Sequence, residues 1–150
     1  MYVETFGDRL KDLMDSEGYN NSTLSYILNI NRKTVGRWLN GKNLPNYMDL
    51  IKISRCFHVS VDYLLGEIKQ LNVQISEKPD LAFVRERFVE KIFEYMRKKN
   101  LTEHAFSEKL GLHHKSVTRW LDRGGMPEAD TLVKISRVTG FTIDHLLGIE

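Results

Sequence analysis

Cysteine is nearly missing from this chain. Cys56 is the only one in 150 residues, which excludes an internal disulfide and fits a reducing compartment. Long hydrophobic runs are missing as well, and no stretch approaches the roughly 20 apolar residues of a membrane span. Met1-Tyr2-Val3-Glu4-Thr5 lacks the basic and apolar regions of a signal peptide. A cytoplasmic chain without a membrane partner is therefore expected. Charge of one sign is not in excess: 22 basic residues face 20 acidic ones, for a net charge of +2. Bulk charge thus announces no polyanionic partner. No glycine-rich phosphate loop is present, and the Ser, His and Asp residues have no spacing that suggests a catalytic triad. The expectation is a protein that is not an enzyme and needs no cofactor.

What is present is one pattern, twice. Shifted by 82 positions, residues 6–67 fall on 88–149 without a gap, and 19 of the 62 pairs are identical. The identities cluster: Lys33/Lys115, Val35/Val117, Arg37/Arg119, Trp38/Trp120, Leu39/Leu121 and Pro45/Pro127, then Lys52-Ile53-Ser54-Arg55 on Lys134-Ile135-Ser136-Arg137, then Leu64-Leu65-Gly66 on Leu146-Leu147-Gly148. A repeat this even means two copies of one folded unit. With 41% hydrophobic and 28% charged residues, the composition is that of a soluble globular protein.

Each unit reads as five short helices. Phe6, Leu10, Leu13 and Met14 recur at helical spacing, and Gly18 stops that helix. A second helix runs from Asn20 or Asn21 to Leu28, with Leu24, Ile27 and Leu28 facing inward. Asn29-Ile30-Asn31 is a tight turn, and Asn31 caps a third helix, Arg32 to Leu39. Val35, Trp38 and Leu39 form its apolar face; Arg32, Lys33, Gly36 and Arg37 form the other. A loop with Gly41 and Pro45 precedes a fourth helix that buries Met48, Leu50, Ile51 and Ile53. A fifth ends at Gly66. In the second copy, Pro79 and Asp80 open a longer first helix reaching Lys99, with Leu81, Val84, Phe88, Ile92 and Met96 on one stripe. Thr102 caps the second helix, Gly111 turns the chain, and His113 caps a third helix running to Leu121. The expected units are 1–67 and 81–150, joined by a connector, 68–80, in which Leu71, Val73 and Ile75 alternate with polar residues.

The charge distribution says more than its sum. Residues 1–67 carry eight basic and eight acidic side chains, yet 29–42 hold Arg32, Lys33, Arg37 and Lys42 and no acid. A neutral unit with one basic segment has a directional electrostatic footprint. The second copy's 111–123 offsets Lys115, Arg119 and Arg123 with Asp122.

Two short helices joined by a three-residue turn, with a basic outer face on the second, describe a helix-turn-helix. Each unit resembles the Cro/repressor-type (XRE-type) helix-turn-helix family. The residues that carry the resemblance are the Arg32-Lys33-Thr34-Val35-Gly36-Arg37-Trp38 run, Asn40-Gly41-Lys42 leading to Pro45, and Val59-Ser60-Val61-Asp62-Tyr63-Leu64-Leu65-Gly66. Their counterparts are Leu110-Gly111-Leu112-His113-His114-Lys115-Ser116-Val117-Thr118-Arg119-Trp120 and Phe141-Thr142-Ile143-Asp144-His145-Leu146-Leu147-Gly148. The resemblance implies an all-α protein of two tandem five-helix, lambda-repressor-like DNA-binding domains. It further implies that the third helix enters the major groove of double-stranded DNA while the second crosses the backbone. The implied contacts are Asn21 at the start of the second helix, Asn31, Arg32, Lys33, Thr34 and Arg37 around the third, and Lys42 and Asn43 in the loop. In the second copy they are His114, Lys115, Ser116 and Arg119.

The chain also departs from the pattern. Leu39 and Leu121 replace a glutamate frequent in the family, which bears on how the third helix is braced. Glu103 takes the place of Asn21 and would repel a phosphate. Arg123-Gly124 replaces Gly41-Lys42. The second unit is therefore expected to bind DNA more weakly. Other residues have plainer readings. Trp38 and Trp120 pack against the first and fifth helices rather than stacking on bases. His113 and His114 are exposed helix-start residues rather than metal ligands. Cys56 is a small buried hydrophobe, Arg55 and Arg137 belong to surface ion pairs, and Arg97-Lys98-Lys99 complements a helix dipole.

The leading expectation is a small prokaryotic or phage-type transcriptional regulator, repressor-like, that reads double-stranded DNA. The fourteen residues 67–80 reach at most about 46 Å, and half-sites lie about 34 Å apart, so both units can act on one duplex. The alternative is a protein-interaction adaptor or antitoxin-like protein built on a repurposed helix-turn-helix bundle. Leu81, Phe83, Val84 and the connector offer a surface for a homodimer. Almost every residue is used by the two units, which leaves no small-molecule ligand in view.

Overall fold

A computed structural model of the chain describes residues 5–69 and 81–149. They divide into two compact units, one before and one after the connector. Each unit is a bundle of five helices. The first holds α1 (Phe6–Glu17), α2 (Asn21–Leu28), α3 (Arg32–Leu39), α4 (Tyr47–Phe57) and α5 (Val61–Leu64). The second holds a 3-10 turn, Leu81–Phe83, then α6 (Val84–Lys99), α7 (Glu103–Lys109), α8 (Ser116–Asp122), α9 (Ala129–Thr139) and α10 (Ile143–Leu147). Among the described residues, no helix is long and apolar enough to cross a membrane.

Helices this short are marginal alone and need caps and packing. The caps are local. Thr5 and Asp8 form a capping box on α1, Asn20 accepts from Thr23 N–H at 2.9 Å on α2, and Asn46 accepts from Asp49 N–H at 2.9 Å on α4. Thr102, Ser60 and Thr142 do the same for α7, α5 and α10. Gly18, Gly140 and Gly148 end helices in the left-handed conformation.

The packing follows the expected stripes. Phe6, Leu10 and Met14 on α1, Leu24 and Leu28 on α2, Val35 and Trp38 on α3, Leu50, Ile51 and Ile53 on α4, and Val61 and Leu64 on α5 are all buried. The second core repeats this with Val84, Phe88, Ile92 and Met96, then Phe106, Val117, Trp120, Leu132, Ile135, Ile143 and Leu146. The recurring serine of the Lys-Ile-Ser-Arg run has a structural reason. Ser54 Oγ donates to the Val59 carbonyl at 2.5 Å, and Ser136 Oγ to the Phe141 carbonyl at 2.7 Å, closing the same turn after α4 and after α9.

Four expectations are corrected. Ile27 is 45% exposed, because Leu24 and Leu28, one turn apart, already fill the inward stripe of so short a helix. Met48, in the first turn of α4, is only half-buried. The third helix of the second unit starts at Ser116 rather than behind a His113 cap, because Ser116 N–H closes a tight turn onto the His113 carbonyl at 3.0 Å. The dimer surface loses Val84, which is buried in its own unit, although Phe83 is 54% exposed. The side chain of Leu81, Pro79, Asp80 and the alternation of Leu71, Val73 and Ile75 lie outside the described residues.

Candidate nucleic-acid interface

In the first unit the turn between α2 and α3 is fixed by its asparagines. Asn29 takes the left-handed conformation at φ 54°, which asparagine tolerates better than most residues. Ile30 N–H then bonds the Ser25 carbonyl at 3.0 Å, and the Ser25 hydroxyl donates to the Ile30 carbonyl. Asn31 caps α3 by accepting from Lys33 N–H at 2.8 Å. With Val35 and Trp38 pinned in the core, the other side of α3 must face outward. Arg32, Lys33 and Arg37 are exposed, and Thr34 is partly so. Arg32 Nη1 donates to Ser22 Oγ at 3.0 Å, tying the start of α3 to the start of α2. Asn21 stands over Gly36, whose missing side chain leaves room: a Cβ there would lie 3.9 Å from the Asn21 amide nitrogen.

The loop after α3 continues this surface. Gly41 turns the chain at φ 72°, and Lys42 N–H bonds the Arg37 carbonyl at 2.9 Å. Lys42 and Asn43 are exposed beyond it. The structure thus gathers Asn21, Asn31, Arg32, Lys33, Thr34 and Arg37 on α2, the turn and α3, with Lys42 and Asn43 in the adjoining loop. Among the described residues, none of Arg32, Lys33, Arg37 and Lys42 is in an ion pair.

The second unit builds the same frame with different parts. Val117 and Trp120 are buried, and Trp120 meets Phe88 of α6 edge-on, with centroids 5.9 Å apart. His114, Lys115 and Arg119 are exposed and Ser116 is half-buried. His114 and Lys115 lie in the turn before α8 rather than on the helix. Glu103 is not simply aimed at solvent: its Oε2 accepts from the Thr118 hydroxyl at 2.6 Å. Thr118 occupies the position of Gly36, so where the first unit sets Asn21 near a glycine, the second forms a Glu103–Thr118 hydrogen bond. The loop is displaced by one residue. Gly124, not Arg123, takes the positive φ, and Gly125 N–H bonds the Arg119 carbonyl at 3.2 Å.

Several residues that shape these surfaces escaped the sequence reading. Gly7 lets α1 approach α3 closely: a Cβ there would lie 2.9 Å from the carbonyl oxygens of Trp38 and Leu39. In the second unit Arg85 Nη2 donates to the Trp120 carbonyl at 2.6 Å, so a guanidinium braces the end of α8. The Gly7 approach does reach Leu39, the residue after the tryptophan, but at its backbone carbonyl rather than its side chain. Tyr26 is 88% exposed on α2, beside an open hollow lined by Ser22, Ser25, Ile27, Ile30 and Arg32. Cys56 is half-buried rather than fully buried, and partial burial together with Glu17 raises its thiol pKa, which disfavours the reactive thiolate. Among the described residues, no group of His, Cys, Asp or Glu is placed to hold a metal ion.

Comparison with known proteins gives the same two units. A helix-turn-helix family model matches residues 10–64 and again 92–146. The chain is 31% identical over 107 residues to the SPbeta prophage-derived uncharacterized HTH-type transcriptional regulator YonR of Bacillus subtilis (strain 168), an alignment covering 66% of this chain and 99% of that protein. It is 29% identical over 89 residues to a Pyrococcus abyssi (strain GE5 / Orsay) protein named as an HTH-type transcriptional regulatory protein, covering 58% of this chain and 28% of the longer relative. No solved structure gives a significant match. Ten helices in two like bundles, an outward basic helix behind an asparagine-built turn, and a family model that fits each half place this chain, in both its repeats, in the XRE-type helix-turn-helix family.

Proposed function

We propose that the chain is a sequence-specific double-stranded DNA-binding regulator, of small prokaryotic or phage type, working in the cytoplasm. The observation that carries this reading is the exposed set Arg32, Lys33, Arg37 and Lys42, held on a short helix and its loop and, among the described residues, not engaged in ion pairs. A helix of eight residues fits the major groove, which is about 12 Å wide. Arg37, one turn into α3, is the residue for a bidentate contact to guanine, and Thr34 for a thymine methyl. Arg32 and Lys33 at the helix start, with Lys42 and Asn43 in the loop, serve the phosphates. Asn21 adds a further backbone contact from α2. The second unit supplies His114, Lys115, Ser116 and Arg119 to a second, weaker half-site.

The test is selection of bound duplexes from a random double-stranded pool by the full-length protein. Two enriched words at one fixed spacing are expected. No enrichment at low salt would overturn the reading. One observation favours a second reading, a protein-interaction adaptor: Tyr26 and Ile27 expose apolar surface on α2. Salt separates the two. DNA affinity falls by about 0.9 log units per phosphate contact for each decade of salt, and an apolar protein interface does not follow that slope.

A further inference from the structure

Three positions of the second helix-turn-helix carry histidine where the first carries none. His104, His113 and His114 stand where Ser22, Asn31 and Arg32 stand. The fold brings the three rings together. His113 and His114 stack with centroids 4.2 Å apart and planes 30° apart, and the His104 ring lies 5.6 Å from that of His114. All three residues are exposed. The arrangement repeats a contact of the first unit, where Arg32 reaches back to Ser22 at the start of α2. A permanent cation at the first residue of α3 in one copy has become a histidine cluster in the turn before α8 in the other.

Resting on the reading that both units contact DNA, we propose that this histidine stack is a proton-dependent phosphate site. It is uncharged above the histidine range and cationic toward the DNA backbone below it. His113 has a separate part. Its Nδ1 accepts from Lys115 N–H at 3.2 Å, as Asn31 accepts from Lys33 N–H, so that ring nitrogen is already engaged in the turn. His114, with the His104 ring beside it, is left as the site for the proton.

The surroundings set the sign. Lys115 follows His114, and Arg119 lies one turn into α8. On α7, Glu103 is engaged by the Thr118 hydroxyl, and Glu108 sits one turn beyond His104. Slight desolvation and the charges of His113, His104 and Lys115 oppose the protonation of His114, so its pKa lies below the ordinary histidine value in the free protein. A phosphate beside it favours the charged form and raises that pKa. The complex therefore binds more protons than the free protein, and affinity rises as pH falls through the histidine range. The first unit's surface, built of Asn, Ser, Arg and Lys, contributes no such dependence.

The experiment is a fluorescence-anisotropy titration of the full-length protein onto a selected duplex at about pH 8 and about pH 6, on either side of the ordinary histidine value. Each proton taken up contributes at most about tenfold in affinity per pH unit, so the wild type is expected to bind roughly tenfold tighter at the lower pH. The variant H104Q/H114Q should lose that difference while retaining the first unit's binding. His114→Arg should bind at the higher pH as tightly as the wild type at the lower, a gain that unfolding cannot mimic. Equal pH dependence in the wild type and H104Q/H114Q would overturn the proposal and leave the DNA-binding reading intact. No duplex binding by the wild type at either pH would overturn both.

Discussion

Ser54 and Ser136 make the same hydrogen bond in the two units, whereas Asn21 and Glu103 do not. That contrast runs through the whole molecule. Phe6/Phe88, Met14/Met96, Leu28/Leu110, Val35/Val117, Trp38/Trp120 and Leu64/Leu146 are identical pairs, and all are buried in both bundles. The changes of polarity and charge fall on the outward side, Asn21 to Glu103, Ser22 to His104, Arg32 to His114, Gly36 to Thr118, and Gly41-Lys42 to Arg123-Gly124, whereas buried changes such as Leu10 to Ile92 and Leu24 to Phe106 exchange one apolar side chain for another. A close-packed core tolerates change poorly, because lost or added volume costs stability. An exposed face obeys no such rule, so it diverges until binding constrains it. The two exposed positions kept as Lys33/Lys115 and Arg37/Arg119 are therefore the informative ones. They mark what both units still present in common, while the flanking contacts differ.

The largest effect expected from breaking this comparison lies at the shared arginine. Replacing Arg37 with Ala should cost about 1–3 kcal/mol of DNA affinity, roughly five- to 150-fold, and should relax base preference at one position. Arg119→Ala should cost less, because the second unit has lost the Lys42 position of its loop and carries Glu103 at the phosphate end of α7. Quantitative binding of both variants to one selected duplex checks this. Equal losses would show that the two units read bases alike, and would remove the asymmetry argued from the flanking residues.

The next effect concerns bracing. Gly7→Ala forces a Cβ to within 2.9 Å of two backbone carbonyls, which neither α1 nor α3 can relieve by turning a side chain. Overpacking of this kind typically costs about 1–3 kcal/mol. The counterpart of Gly7 is Val89, so the second unit holds its helix otherwise, through the guanidinium of Arg85 on the Trp120 carbonyl. Hydrogen exchange should show faster opening of α1 and α3 in Gly7→Ala with α6 and α8 unchanged. Protection lost equally in both units would mean that their stabilities are coupled.

Much of this was legible in the sequence, and the reasons are physical. The repeat doubled every periodic signal, so each helix stripe could be checked against its copy. Asn31 was readable as a cap, and Gly41, Gly66 and Gly148 as turns, because each role depends on neighbours a few residues away. The eight residues singled out in the first unit lie on α2, the turn, α3 and the loop that follows it. The misses have other causes. Gly7 and Arg85 act on residues 31 to 35 positions away, and no local pattern marks such a contact. Ile27 was placed inward because an apolar residue in a short helix has little periodicity to judge it by. The histidine cluster was missed because adjacent residues on a regular helix point apart; here the turn before α8 is not helical, and it stacks His113 on His114.

The smallest effect expected separates two readings of Glu103. As a bare carboxylate at the start of α7 it would repel the DNA backbone, and restoring the first unit's residue with Glu103→Asn would raise affinity strongly at low salt. The structure gives the carboxylate a partner, with Thr118 Oγ donating to it at 2.6 Å. A hydroxyl hydrogen bond draws the group toward α8 without cancelling its charge. A half-exposed carboxylate is also screened by solvent, and by salt over a Debye length of about 8 Å at physiological ionic strength. Glu103→Asn should then tighten binding by no more than about threefold, below the roughly 1 kcal/mol ceiling of exposed charge pairs. Thr118→Val should do the opposite, releasing the carboxylate and weakening binding slightly, with no further effect once Glu103 is already Asn. Measured at low and at moderate salt, a gain well above threefold for Glu103→Asn would mean that this acid alone accounts for the weakness of the second unit. A small gain would point instead to the exchanges of Arg32 for His114 and of Lys42 for Gly124.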